Sequence, residues 1–200
     1  LHVLAKLAKT SCKILLLSLV GCFGAPYFIH PETGIAARQC DLPQFAGVSP
    51  SIPIRLHASV RGAFEYWNEA IGKQIFLYVG EQPWEYDSEE YGGITIVSGE
   101  ENYPRKSLAY ASMEWMPDGC IKIANIVVNP KAFDRDMASF NTLMRHEIGH
   151  LLGLRHRDLF TEIMNPKASI TPREPQSASQ EEIRLLKELY GVKDGKRKEE

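Results

Sequence analysis

The stretch His146-Glu147-Ile148-Gly149-His150-Leu151-Leu152-Gly153-Leu154-Arg155-His156 decides how this chain is read. Three of its six histidines fall there, in the order H-E-x-x-H-x-x-G-x-x-H. His146 and His150 stand at i and i+4, so on a helix they share one face, one turn apart. Two imidazoles placed in this way bind a single metal ion at roughly 2.0–2.1 Å each. Glu147 is too offset to be a good third ligand, but it is well placed to hold and deprotonate a metal-bound water. Gly153 can take the left-handed conformation that ends a helix and turns the chain back. That turn lets His156 approach the metal from outside the helix. Three neutral nitrogens leave a fourth position for water, the arrangement of a catalytic rather than a structural zinc. One catalytic Zn2+ is therefore the expected cofactor. Five specified positions in eleven residues argue against an amphipathic helix that carries surface histidines by chance.

Met164 follows eight residues after His156, within Glu162-Ile163-Met164-Asn165-Pro166. The motif together with this methionine turn resembles the metzincin metallopeptidases, and the gap and the I-M-N-P string look most like their matrixin branch. The resemblance implies that Met164 lies beneath the three imidazoles as a packing floor without ligating. Asn165 stands where matrixins usually have tyrosine, and Arg157 where they usually have serine or threonine. Pro166 leaves no place for the extra tyrosine ligand of astacin-like and serralysin-like enzymes. Leu108-Ala109-Tyr110-Ala111 resembles the matrixin edge strand, commonly L-A-H-A, which implies that these four residues bind substrate. Tyr110 replaces a histidine that helps hold a second, structural zinc in matrixins, so no second zinc is expected. Ser179-Gln180-Glu181-Glu182-Ile183 with Leu189-Tyr190-Gly191 resembles their final helix. Asp134 and Asp136 are candidate calcium ligands, with a solvated loop as the alternative.

The implied fold is α/β (α+β), a zincin-like metzincin catalytic domain. It has a twisted, mixed five-stranded sheet, two long helices, and a small C-terminal subdomain with the methionine turn and a final helix. The implied activity is that of a zinc endopeptidase acting on a protein or peptide substrate, with Glu147 as general base. Two other readings stand beside it: a non-catalytic metal-binding lipoprotein, and a zinc amidase acting on cell-wall material. The intact Glu147 argues against the first, because a binding module has no need for a base there.

The 200 residues, 44% hydrophobic and 24% charged, suit one globular domain with a real core. A formal charge of −2 gives no hint of nucleic-acid binding. A monomer is expected. Residues 1–21 read as a signal peptide: Lys6, Lys9 and Lys13 precede the apolar run from Ile14 to Val20, which is too short to span a bilayer. Leu19-Val20-Gly21-Cys22 matches a bacterial lipobox, in which Cys22 is lipidated. An ordinary signal peptide and an uncleaved segment are the alternatives. The expected location is the cell envelope, lipid-anchored, or the extracellular space, and contact with a membrane is expected only through that lipid. Cys40 and Cys120 then form a disulfide, remain free thiols, or serve latency, Cys40 as a thiolate on the zinc within Arg38-Gln39-Cys40-Asp41-Leu42-Pro43. Asp41 as a blocking carboxylate is a variant of the last reading.

Residues 22–50, rich in Pro and Gly, read as a linker or short pro-segment, 51–191 as the catalytic domain, and 192–200 as a frayed tail. The alternation of Ile52, Ile54, Leu56 and Ala58 predicts a strand with His57 on its polar face. Ser59 is the expected cap of a helix whose apolar face runs through Val60, Ala63, Phe64, Trp67, Ala70 and Ile71 and which Gly72 ends. Strands are predicted at 75–79, 94–97, 108–115 and 121–128, with an acidic, aromatic loop at 81–91 and a turn at Met116-Pro117-Asp118-Gly119. Phe140, Leu143, Met144, Glu147 and Leu151 keep helical spacing, which places the zinc motif on a helix. Ser179 and Glu182 have capping-box spacing at the head of the last helix.

Overall fold

The structure, a computed structural model, describes residues 25–82, 95–99, 107–159, 162–166 and 176–193. The lipobox with Cys22, most of the 81–91 loop and the tail from 194 onward lie outside the described residues. Five strands form one sheet: β1 (Gln44–Val48), β2 (Phe76–Glu81), β3 (Thr95–Gly99), β4 (Ala109–Trp115) and β5 (Ile121–Val128). Their spatial order is β2-β1-β3-β5-β4. The first four in that order are parallel, and β4 runs antiparallel to β5 at the edge. Three helices accompany the sheet: α1 (His57–Ile71), α2 (Met137–Leu151) and α3 (Gln180–Leu189). The fold is thus α/β with a mixed five-stranded sheet. Among the described residues no helix is long and apolar enough to cross a membrane.

The predicted strand around Ile52–Ala58 does not exist. Ile54–Leu56 is a 3-10 turn that runs directly into α1. Ile52 and Leu56 are both buried, while Ile54 between them is 78% exposed. Alternation therefore does not describe this stretch: Ile52 is buried in the bend before the turn and Leu56 at its end, with Ile54 turned outward. Helix α1 begins one turn earlier than expected, with Leu56 at its N-cap and no side-chain cap. Ser59 is already inside the helix and buried, so the cap assigned to it is corrected. His57 turns its Nε2 to the Ile52 carbonyl at 2.9 Å. Val60, Ala63, Phe64, Trp67 and Ile71 are buried as their spacing requires, and Gly72 ends the helix in the left-handed conformation, φ 76°.

The expected linker, 22–50, is corrected as well. It supplies β1, which lies between β2 and β3. Upstream of β1, residues 26–38 form a strap stitched to the domain. Tyr27 bridges Leu154 and Arg38 bridges Cys120, while Ile29 and Ala36 bridge each other within the strap. β1 is hard to read because its residues invert the usual pattern: Phe45 is 44% exposed while Gln44 is buried. Gly47 lies so close to β2 that an added Cβ would sit 2.6 Å from the Gln82 side chain.

Cys40 and Cys120 are joined in a disulfide across 80 residues, tying the strap to the β4–β5 hairpin. No Cys40 thiolate is left to sit on a metal, so the latency reading of this cysteine is corrected. Closing a loop of that length restricts the unfolded chain and contributes about 2–5 kcal/mol. Replacing both cysteines by alanine is expected to lower the denaturant midpoint accordingly while leaving the far-UV spectrum unchanged. An unaltered midpoint would show that the strap is held by its backbone bonds alone.

Candidate active site

The site is built on the last two turns of α2. Asp136 caps this helix, accepting from the Ser139 N–H at 2.9 Å and the Ser139 hydroxyl at 2.7 Å. Phe140, Leu143, Met144, Ile148 and Leu151 bury the apolar stripe, which leaves His146, Glu147 and His150 on the side that faces β4 and the chain beyond the helix. Trp67 of α1 fixes the back of the helix by donating its indole N–H to the Arg145 carbonyl at 2.8 Å. Gly153 then takes φ 103°, and an added Cβ there would run into the Ala37 carbonyl of the strap. Only glycine satisfies both the turn and that close approach. The turn returns the chain so that His156 meets the other two histidines.

The three rings converge. His156 Nε2 lies 3.1 Å from Nε2 of His146 and 3.1 Å from Nε2 of His150. The other ring nitrogens of the helical pair donate to backbone carbonyls: His146 Nδ1 to Ile163 at 2.6 Å, His150 Nδ1 to Leu154 at 2.8 Å. Those bonds set the tautomer and leave the Nε2 lone pairs pointing at one another. Unfilled lone pairs at that spacing repel. A tetrahedral zinc with Zn–N of roughly 2.0–2.1 Å separates its nitrogens by about 3.3 Å. The donor set therefore fits zinc, with His146, His150 and His156 as ligands, and the described residues contain this one cluster of three or more metal-ligating side chains. Burial above all lowers the affinity of all three rings for a proton. His146 falls to about 4, helped by His156, and His150 falls well below its ordinary value. His156 is lowered by burial and then by Arg155. Near neutral pH they are unprotonated, as ligands must be.

Glu147 is 5% exposed and lies between α2 and β4. Burial pushes its carboxyl up to about 8, against the pull of a hydrogen bond from the Ala111 backbone. The edge strand and the carboxylate are thereby in direct contact. Of the predicted substrate-binding residues, Leu108 precedes β4 and is half-buried, Ala109 and Ala111 are buried, and Tyr110 alternates with them toward the outside.

Met164 is fully buried under the helix. An added Cβ on Gly149 would collide with its sulfur, so Gly149 is what lets the methionine lie against the backbone between the two helical ligands. Sequence reasoning missed what holds this turn. Glu182, fully buried, accepts from Met164 N–H at 2.8 Å and Ile163 N–H at 3.3 Å. The same carboxylate closes the capping box of α3, accepting from Ser179 N–H at 2.7 Å. Its capping role shows in the sequence, whereas its second role needs a contact across 18 residues, which no local pattern reports. Arg157 was likewise visible only as a departure. Its N–H donates to the Met164 carbonyl at 3.0 Å, and its guanidinium pairs with Glu162 at 2.7 Å. Burial raises the Glu162 pKa, and Arg157 opposes that rise. The Asp136 considered for calcium is the helix cap described above.

Three imidazoles, a buried carboxylate and a methionine turn make up the site of a zinc metallopeptidase. The Matrixin (Peptidase M10) family model matches residues 62–191, and the chain belongs to that family. No curated protein matches the chain. Among solved structures, the chain is similar to archaemetzincin from Methanopyrus kandleri, with 14% identity, 74% of this chain and 95% of that one covered, and a TM-score of 0.48. It is also similar to high choriolytic enzyme 1, a hatching enzyme zinc-protease from the medaka fish Oryzias latipes, with 13% identity, coverage of 84% and 100%, and a TM-score of 0.49. At those scores the assignment rests on the family match and on the site itself.

Two outcomes test the geometry. Arg157→Ala leaves the buried Glu162 carboxylate with only the Ser179 hydroxyl at 3.3 Å, which costs up to about 3 kcal/mol, and adding Glu162→Ala recovers part of that loss in a denaturation series. The second concerns the zinc-free protein. From about pH 4 to 6.5 the unfolded chain binds protons at His146 and His150 that the folded chain refuses, so stability falls as pH drops. From about pH 4.5 to 8 folded Glu147 keeps a proton that the unfolded chain has released, so stability falls as pH rises. Of these three groups only Glu147 still contributes between the ordinary histidine pKa of about 6.5 and its own value of about 8. Thermal melts of zinc-free protein are expected to show a decline between about pH 6.5 and 8, which Glu147→Gln reduces.

Proposed function

We propose that the chain is an exported zinc endopeptidase, held in the cell envelope by a lipid on Cys22, with Glu147 as its general base. The observation that carries the reading is the contact between Glu147 and the Ala111 backbone at the edge of the sheet. β4 is last in the sheet order, so an extended peptide can add beside it as a further strand and lie across the three histidines. Its main-chain groups would then meet those of Leu108 to Ala111. Zinc, when bound, supplies Lewis acidity toward the scissile carbonyl and acidity to a water. Glu147 accepts a proton from the attacking water and passes it to the departing amine nitrogen, so that the amine leaves neutral. Ala111 N–H holds the carboxylate in place during both transfers. Peptide pairing of this kind favours a protein substrate over a cell-wall amide, which offers no continuous strand.

The envelope location is supported by Lys6, Lys9 and Lys13, the apolar run from Ile14 to Val20, and Leu19-Val20-Gly21-Cys22. The test uses the soluble form beginning at residue 23, loaded with zinc, with casein as substrate. Glu147→Gln is expected to retain zinc while turnover falls by roughly 10²–10⁴. Removal of zinc by a chelator abolishes cleavage. A zinc-loaded Glu147→Gln protein that still cuts casein would remove Glu147 as the base.

A further inference from the structure

The chain enters its domain at the metal site. The Pro26 carbonyl accepts the Arg155 N–H at 2.8 Å, and the Phe28 N–H donates to the Gly153 carbonyl at 2.9 Å. The Tyr27 hydroxyl donates to the Leu185 carbonyl at 2.8 Å. The Phe28 ring lies 5.8 Å from the His150 ring and 6.0 Å from that of Trp115. Pro26 is thereby fixed beside the residue that precedes the third ligand, His156. Cys22 stands only four residues before Pro26. Four residues reach at most about 14 Å, even fully extended.

Resting on the lipid-anchored reading above, we propose that Cys22 holds the zinc cleft against the lipid surface, so that the substrates are membrane-proximal segments of other membrane-attached proteins. The tether is too short to let the domain stand away from the bilayer. Three exposed apolar side chains lie on the strap, on the β4–β5 turn and just past the third ligand. Leu159, three residues past His156, is 57% exposed; Ile35 is 39% and Met116 41% exposed. Ile35 and Met116 lie on turns joined to one another, with the Thr33 hydroxyl donating to the Pro117 carbonyl at 2.6 Å. Net charge does not explain membrane contact. Without residues 1–21, 20 basic residues remain against 25 acidic ones, a balance that anionic headgroups repel. The covalent lipid and the short tether have to do the holding.

The experiment uses full-length protein processed in a lipoprotein-exporting bacterium and reconstituted into vesicles of phosphatidylethanolamine and phosphatidylglycerol. Mass spectrometry of the N-terminal peptide first reads acylation of Cys22. A dye on Leu159→Cys, with Cys40 and Cys120 kept in their disulfide, then reports energy transfer to a headgroup-labelled lipid. Strong transfer is expected, corresponding to a separation of roughly 25 Å or less. Inserting about twenty Gly/Ser residues ahead of Ala25 adds about 25 Å of mean reach and should weaken the transfer. A casein-derived peptide tethered to the same vesicles is expected to be cut roughly tenfold faster on a short spacer than on a long one, and the inserted linker should erase that preference. An acylated protein whose transfer and spacer preference match those of the linker variant overturns the proposal while the lipoprotein reading stands. A protein without acyl on Cys22 overturns both, and the soluble casein assay then still reports on the peptidase separately.

Discussion

Two backbone carbonyls hold the metal site together. The Leu154 carbonyl takes the Nδ1–H of His150, and the Ile163 carbonyl takes that of His146. Each bond fixes a ring and its tautomer, and together they aim the Nε2 lone pairs at a common point with His156. Lone pairs 3.1 Å apart do not gather on their own account. The protein holds them there because everything around them is committed: Gly153 delivers the Leu154 carbonyl, and the methionine turn delivers that of Ile163. A cation at the point of convergence relieves the repulsion, so metal binding and folding draw on the same free energy.

The methionine turn shows how that commitment is met. A tight turn buried beneath a helix cannot leave its N–H groups without acceptors. Glu182 supplies two of those acceptor contacts and closes the cap of α3 with the same carboxylate. Arg157 holds the turn from the other side, through its own N–H and through Glu162. Where serine or threonine is usual in the family, a buried ion pair now joins the third ligand's neighbour to the turn. Two buried carboxylates thus lie near one another, Glu162 paired with the Arg157 guanidinium and Glu182 with backbone N–H groups, an arrangement that stands only while each keeps its hydrogen bonds.

Much of this was legible in the chain. The zinc helix, its ligands and the final helix depend on contacts within a few residues, and periodicity and capping report those directly. The sheet was legible where strands alternate, as in β5, but not in β1. There the exposed Phe45, the buried Gln44 and the crowded Gly47 reflect neighbouring strands and not the segment itself. The same limit explains the strand expected at Ile52–Ala58. Three apolar residues spaced by two fit a strand, yet Ile52 is buried in the bend before the 3-10 turn and Leu56 at its end, and only the tertiary context exposes Ile54. The double role of Glu182 and the pairing of Arg157 with Glu162 were invisible for the same reason, since each joins loops whose approach the fold alone decides.

The N-terminal segment carries a consequence for control of the enzyme. A removable pro-segment has to leave the domain intact when it departs. Residues 26–38 instead hold the turn after α2 through Leu154 and Gly153, and the next stretch provides an interior strand of the sheet. The disulfide closes the arrangement on the β4–β5 hairpin. Deleting the segment up to residue 50 would strip the acceptor from the Arg155 N–H, remove β1 from between β2 and β3, and loosen the ligand helix at its C-terminus. The strap therefore supports the zinc site, and its removal would cost the site its geometry.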